Sequence, residues 1–136
     1  MEHLIGKTHR ESWTVTHELL ASSMKSGAVD VFATPYMIAL MEYTCMQMVQ
    51  PALPEGITTV GSAVNITHVH PTLEGMTAYV DAELLETDGR RFLFRVTAYD
   101  EAGMIGQGTH ERCTVKAGRF LEKAAARRDA GPQSAC

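Results

Sequence analysis

Apolar positions crowd most densely between Phe32 and Pro51, in the stretch FATPYMIALMEYTCMQMVQP, and Glu42 is the only charged residue between Asp30 and Glu55. Thr34 as N-cap, Pro35 at the first helical position and Pro51 as a stop predict one long helix here. Ile38, Ala39, Cys45 and Met46 share the face of Glu42, while Met37, Leu40, Met41 and Met48 fall on the opposite face. A helix that is apolar all round is a buried one. Glu42 is therefore expected inside the core, where an unpartnered carboxylate is costly. Two readings follow for it: a structural group that reaches solvent or serves a hydrogen-bond network, or an acid–base residue.

The rest of the chain alternates with the period of strands. Lys7 to Thr16 reads as a strand with Trp13 and Val15 on its apolar side, and HELLASSMKSGAVD as a short helix or turn ending at Ser26-Gly27. After a turn at Leu53 to Gly56, a strand runs from Ile57 to His70, with Val60, Val64, Ile66 and His68 on one face and Thr59, Asn65 and Thr67 on the other. Met76 to Thr87 alternates through Ala78, Val80, Ala82 and Leu84. Asp88-Gly89 is a hairpin signal, followed by Arg91 to Asp100 with Phe92, Phe94, Val96 and Ala98 inward. A turn at Glu101-Ala102-Gly103 leads to a last strand, Met104 to Val115, and the end, DAGPQSAC, is expected to fray. A long apolar helix followed by a meander of one-faced strands predicts an α+β domain, an antiparallel sheet curled round one central helix.

Composition narrows the setting. The chain's 136 residues, 45% hydrophobic and 21% charged, fit one soluble globular domain. No apolar run reaches membrane-spanning length, and MEHLIGKTHRES lacks the pattern of a signal peptide. Cys45, Cys113 and Cys136 are odd in number and have no C-x-x-C spacing, which points to a reducing compartment and a cytoplasmic address. Charge is uneven: Lys116 to Arg128 holds five of the twelve Lys and Arg residues and one acid, a local +4 within a net −4. Around that segment there is no recognised nucleic-acid motif and no interleaved aromatic series, so nucleic acid is not expected as a partner. It reads either as a solvated helical tail or as a landing site for a phosphate-bearing small molecule, through Lys116, Arg119 and Lys123.

Three further features could carry chemistry. His68 and His70 share the apolar parity of their strand, and spacing alone does not choose between them; a histidine so placed is either a hydrogen-bonded core residue or a catalytic one. As a metal pair, two histidines at i, i+2 on a strand are a weak signal, and neither a metal nor a cofactor is expected. Thr34, taken alone, is a cap. Gly106 and Gly108 lie on one strand face with His110 and Arg112, marking a bulge or a close approach by another backbone or ligand.

The segments ATPYMIALMEYTC, VGSAVNITHVHPTLEGM, GRRFLFRVTAYDEAG and IGQGTHER together resemble the hot-dog-fold thioesterases, in the group that contains fluoroacetyl-CoA thioesterase. The likeness runs from about Gly6 to Phe120. It implies a hot-dog domain over residues 1–120, a basic flexible tail over 121–136, an acyl-CoA substrate and a homodimer with active sites near the subunit interface. By the same resemblance Thr34, Glu42 and His68 are the catalytic residues, His68 is preferred over His70, and Gly61 and Arg112 line the acyl pocket. One departure stands out: the fluoroacetyl-CoA enzyme has aromatic residues before its catalytic threonine, whereas this chain has none between Trp13 and Phe32. Strict selection for a fluoroacyl group is therefore not expected.

Thioester hydrolysis needs a nucleophile, its base and oxyanion stabilisation. Glu42 could act as general base or attack the carbonyl, His68 could move the proton, and Thr34 could be a nucleophile or orient water. Backbone N–H groups at the helix start could hold the oxyanion. Yet positions 34 and 42 of an ideal helix lie about 12 Å apart along the axis and roughly 80° apart in rotation. The chain at Ala33-Thr34 must fold back, or the two residues act from separate sides, or Thr34 is a cap. A hot-dog hydratase or dehydratase, and a non-catalytic acyl-CoA-binding protein, are the rival readings.

Overall fold

The computed structural model describes residues 1–132. Helix α1 (Ala21–Met24) is a single turn, α2 (Thr34–Val49) is the long helix, and α3 (Ala117–Ala130) follows the last strand. Strands β1 (Thr8–Thr14), β2 (Ile57–His68), β3 (Thr77–Thr87), β4 (Arg91–Asp100) and β5 (Gly103–Lys116) form one sheet in the order β1-β3-β4-β5-β2, every pair antiparallel. Among the described residues no helix is long and apolar enough to cross a membrane. The basic stretch is helical as α3; Asp129 and Ala130 of the end expected to fray close that helix, and residues 133–136, with Cys136, lie outside the described residues.

The core forms where α2 lies on the sheet. Met37, Leu40, Met41, Cys45 and Val49 meet Ala78, Val80, Ala82 and Leu84 of β3 and Phe92, Phe94, Val96 and Ala98 of β4, all fully buried. The period-2 pattern of β3 and β4 thus points inward as the sequence predicts. Three contacts set α2 antiparallel to β2. Thr34 meets His68 at the helix start, Glu42 faces Gly61 in the middle, and Gln50 bonds Ile57 and Thr58 at the end.

Strand β2 departs from its predicted faces. Gly61 pairs with Arg112 but Ala63 pairs with Glu111, so Ser62 is a bulged residue. The extra residue reverses the alternation halfway along the strand. Thr59 and Gly61 consequently share the inner face with Val64, Ile66 and His68, and Val60 turns away from them. Thr59, expected outside, is buried.

The strand glycines answer to close approach. A Cβ on Gly106 would sit 2.8 Å from the Met37 sulfur and 2.7 Å from the Thr67 carbonyl oxygen. At Gly108 a Cβ would overlap the Asn65 carbonyl oxygen. The bulge considered for this stretch falls beside it, where the β4–β5 register shifts between Ala98 and Tyr99. Gly108→Ala is expected to cost at least about 2 kcal/mol, because backbone rather than a mobile side chain must yield. A urea midpoint unchanged from the parent protein would show that β2 has room to move.

Candidate active site

Thr34 does not cap its helix. Ala33 takes the N-cap position, Pro35 falls at the second helical residue, and no side chain makes a capping bond there. Backbone bonds from Phe32 N to Thr72 O and from Ala33 N to Leu19 O, 2.8 and 2.9 Å, hold the approach to the helix instead. The Thr34 hydroxyl is thereby released to His68, its Oγ1 2.7 Å from Nδ1. Burial pushes the His68 imidazole below its usual range, the His70 backbone opposing in part. A neutral ring with a free lone pair at Nδ1 can draw on the threonine proton. Its other nitrogen, Nε2, is buried and has no protein partner among the described residues.

This pair opens on a cavity of about 250 Å³ walled by Ala21, Ser26, Val31, Phe32, His70 and Pro71 among others. The covering segment 21–31 contributes only small and aliphatic side chains to it, and Phe32 is turned into the core. His70 is exposed on the cavity wall, where His68 is half-buried.

Glu42 belongs to a second cluster, two helical turns further along α2. It is not enclosed as the sequence suggested: its side chain keeps 42% of its exposure in the single chain. The deep face of α2 runs through Met37, Met41, Cys45 and Val49, while Ile38, Ala39, Glu42 and Met46 form a half-open flank. Across from Glu42, Arg112 is buried, and its Nη1 stands 3.9 Å from Oε2. That is beyond hydrogen-bond contact but within reach of the charge.

The Arg112 guanidinium is held by other groups. Nε donates to Thr59 Oγ1 and Nη2 to the Thr59 carbonyl, each at 2.8 Å, and Nη1 donates to His110 Nε2 at 3.1 Å. Because an arginine only donates, His110 Nε2 must be bare, and its Nδ1–H must donate to the Ala63 carbonyl at 2.8 Å. Burial, chiefly, keeps His110 neutral in this one tautomer, and the Arg112 charge adds to that. Gly61 makes the arrangement possible, since a Cβ there would lie 2.8 Å from Glu42 Oε2 and 3.1 Å from the His110 ring. Nearby Cys45 takes no part as a thiolate: burial pushes its thiol far up.

The structure therefore joins Thr34 to His68, and Glu42 to Gly61 and Arg112. No hydrogen bond among the described residues links the two clusters directly, so the fold-back alternative for Thr34 falls away. Lys116 and Arg119 lie apart from both, lining a cavity at the end of the sheet. Among the described residues no group of three or more His, Cys, Asp or Glu side chains converges as a metal-ligand set. Sequence reading missed Thr59 and His110, the two holders of Arg112. His110 was on the right face to be found, being i, i+2 to Arg112, but the bulge hid Thr59.

Comparison with known proteins bears on this arrangement. Residues 15–118 match the family model described as FlK, fluoroacetyl-CoA-specific thioesterase. The fluoroacetyl-CoA thioesterase of Streptantibioticus cattleyicolor is 38% identical over 118 residues, spanning 87% of this chain and 85% of that protein. The solved structure of the fluoroacetyl-CoA thioesterase FlK superimposes with a TM-score of 0.86 at 32% identity, covering 94% of this chain and 97% of the other. A Thermus thermophilus protein described as a thioesterase superfamily member gives a TM-score of 0.82 at 31% identity, over 93% and 96% of the two chains. With the helix-on-sheet architecture and most of its length in common with these proteins, the chain has the hot-dog fold and belongs to the FlK family of fluoroacetyl-CoA-specific thioesterases.

Proposed function

We propose that this protein hydrolyses small acyl-CoA thioesters to the free acid and CoA, with Thr34, Glu42 and His68 as its catalytic residues. The observation that carries the reading is the Thr34–His68 pair, 2.7 Å apart at the mouth of a small cavity. His68 accepts a proton from the Thr34 hydroxyl, or from water held by it, and returns it to the departing thiolate. Glu42, two turns away, serves the other side of the thioester as base or nucleophile. Arg112 stands 3.9 Å behind Glu42, bonded to Thr59 and His110, so the carboxylate is not held in a close ion pair. Gly61 leaves room for substrate and carboxylate together.

A homodimer fits the same reading. Strand β2 is an edge strand, Val64 on it is 48% exposed, and the α2 flank around Glu42 is half-open. Pairing with a second copy along this edge would cover both, and light scattering at micromolar concentration should return twice the chain mass.

The test of function is release of free CoA thiol from a panel of acyl-CoAs. A hydratase would consume an unsaturated acyl-CoA without freeing thiol, and a binding protein would free none. The same panel reads specificity. FlK has been solved with fluoroacetate and CoA in an alanine variant, but here segment 21–31 brings only small and aliphatic side chains to the cavity. Discrimination of fluoroacetyl-CoA over acetyl-CoA is accordingly expected to stay below about ten-thousandfold in kcat/KM. Part of any preference comes from fluorine itself, which makes the carbonyl more electrophilic. A larger ratio would require a selective lid from residues outside segment 21–31.

A further inference from the structure

The chain leaving β2 after His68 runs along the surface through residues 69–76, and Thr72 is the one buried residue in it. Its hydroxyl donates to Asp100 Oδ2 at 2.7 Å. Asp100, itself buried where β4 ends, accepts the Ala102 N–H on Oδ1 at 2.8 Å. Among the described residues no cation lies within ion-pair distance of Asp100. A buried acid held by two neutral donors is a costly way to pin a surface loop, since an apolar pair of similar size would bury as well. What the pair does supply is direction. The Thr72 carbonyl accepts the Phe32 N–H at 2.8 Å, two residues before Thr34, and Thr72 itself stands four residues after His68. One residue therefore joins the chain entering α2 to the chain leaving β2, the two pieces that make the 2.7 Å Thr34–His68 contact. The remaining bonds from this segment to the sheet are made by its backbone: Val69 and His70 N–H to the Ile105 carbonyl at its start, 2.7 and 3.2 Å, and Gly75 N–H to the Val15 carbonyl near its end, 2.8 Å. Neither Thr72 nor Asp100 lines the cavity beside Thr34 and His68.

From these features we propose that Thr72 and Asp100 are positioning residues for the reaction: their buried bond sets the distance between the Thr34 hydroxyl and His68 Nδ1. This assignment rests on the thioesterase reading above and adds two residues that touch neither substrate nor reacting atoms. The physical reason lies in what each kind of contact fixes. Apolar burial of α2 on the sheet is non-directional, so it holds helix and strand together without setting how Thr34 and His68 meet. A proton moves between two side chains only at hydrogen-bond distance, and a misplacement of about 1 Å from a remote substitution can cost about a hundredfold in rate. The bonded path from Asp100 through the Thr72 hydroxyl, the Thr72 carbonyl and Phe32 N–H reaches the helix entrance from one side, and the Ala33 N–H on the Leu19 carbonyl holds it from the other. In this path the hydroxyl matters and the acid's charge does not. An asparagine at position 100 would turn its amide N–H to the Thr72 oxygen, which accepts as well as it donates.

The experiment separates the hydroxyl from shape and from charge. Thr72→Val keeps the side-chain shape without the hydroxyl, Thr72→Ser keeps the hydroxyl, and Asp100→Asn keeps a hydrogen-bonding partner without the acid. Because Thr72→Val strands a buried acid, the paired variant Thr72→Val/Asp100→Leu, which removes both partners, is measured beside it. Thiol release from acetyl-CoA gives kcat and KM, and nitrogen-15 NMR of histidine-labelled protein follows the His68 ring without substrate. Thr72→Val and the paired variant are each expected to lower kcat about thirty- to a hundredfold with KM changed less than about twofold. In both, the His68 ring nitrogen signals should shift or broaden as the Nδ1 contact loosens. Thr72→Ser and Asp100→Asn should keep the parent ring signals and stay within about threefold of the parent kcat. Parental kcat and ring signals in Thr72→Val or the paired variant, whatever the melting temperature, overturn the proposal and leave the bond purely structural. A loss that Thr72→Ser does not restore overturns it too, since the hydroxyl is then not the cause. An equal loss in Asp100→Asn overturns it in favour of an effect of charge. If the parent frees no thiol while the ring signals still follow the Thr72 hydroxyl, the positioning stands and the thioesterase reading fails.

Discussion

Glu42→Gln is expected to preserve the fold and to lower kcat at least about a hundredfold, the scale of a positioned acid–base group. Glutamine keeps the shape and removes only the charge. Stability should survive because Arg112, the buried cation facing Glu42, already donates to Thr59 and His110. The half-exposed carboxylate is not needed to rescue it. What disappears is a carboxylate oxygen beside Gly61, where the proposed mechanism brings the thioester carbonyl or its attacking water. Thiol release and a thermal melt on the same preparation separate the cases. Near-parental turnover would make Glu42 a structural neighbour of Arg112, and a melt lowered in step with activity would mean that the ion pair holds the sheet together.

His68→Ala should reduce kcat by about a hundred- to ten-thousandfold, whereas His70→Ala should cost less than about tenfold. Both rings border the same cavity, so proximity to substrate does not distinguish them. Their bonding does. His68 is half-buried and locked onto the Thr34 hydroxyl, while His70 is exposed and anchored through its backbone N–H to the Ile105 carbonyl. A pH profile gives an independent reading. In the proposed mechanism neutral His68 accepts the proton, and burial holds its pKa below the ordinary imidazole value. The acid limb of kcat/KM for the parent protein should therefore fall below about pH 6.5 and disappear with the residue. Equal losses from the two substitutions would place the proton transfer elsewhere on the cavity wall.

Local pattern was enough for much of this protein. A run of nearly uncharged residues bounded by prolines reads as a buried helix, and α2 runs Thr34–Val49, with Ala33 rather than Thr34 at its N-cap. Strict alternation put Ala78 to Leu84 and Phe92 to Ala98 on the core face, since a strand covered on one side has no other way to bury them. The order of Thr34, Glu42 and His68, with the GTHER strand, carried the family.

Pairing across the fold decided the rest. Period-2 reasoning assumes that no residue is added, and the bulged Ser62 breaks it, moving Thr59 inward to hold Arg112. A threonine ahead of a proline looks like a cap from its neighbours alone. Whether its hydroxyl turns to the helix or away depends on a histidine 34 residues distant. Glu42 looked enclosed because its helical neighbours are apolar, but enclosure depends on what is packed against them, and β2 leaves that flank half-open in a single chain. Thr72 had no sequence link to Asp100 at all; closure of the sheet brings the end of β4 to the chain that leaves β2. Helix and strand type follow from short-range periodicity. Which polar groups meet follows from register and closure, which involve residues tens of positions apart.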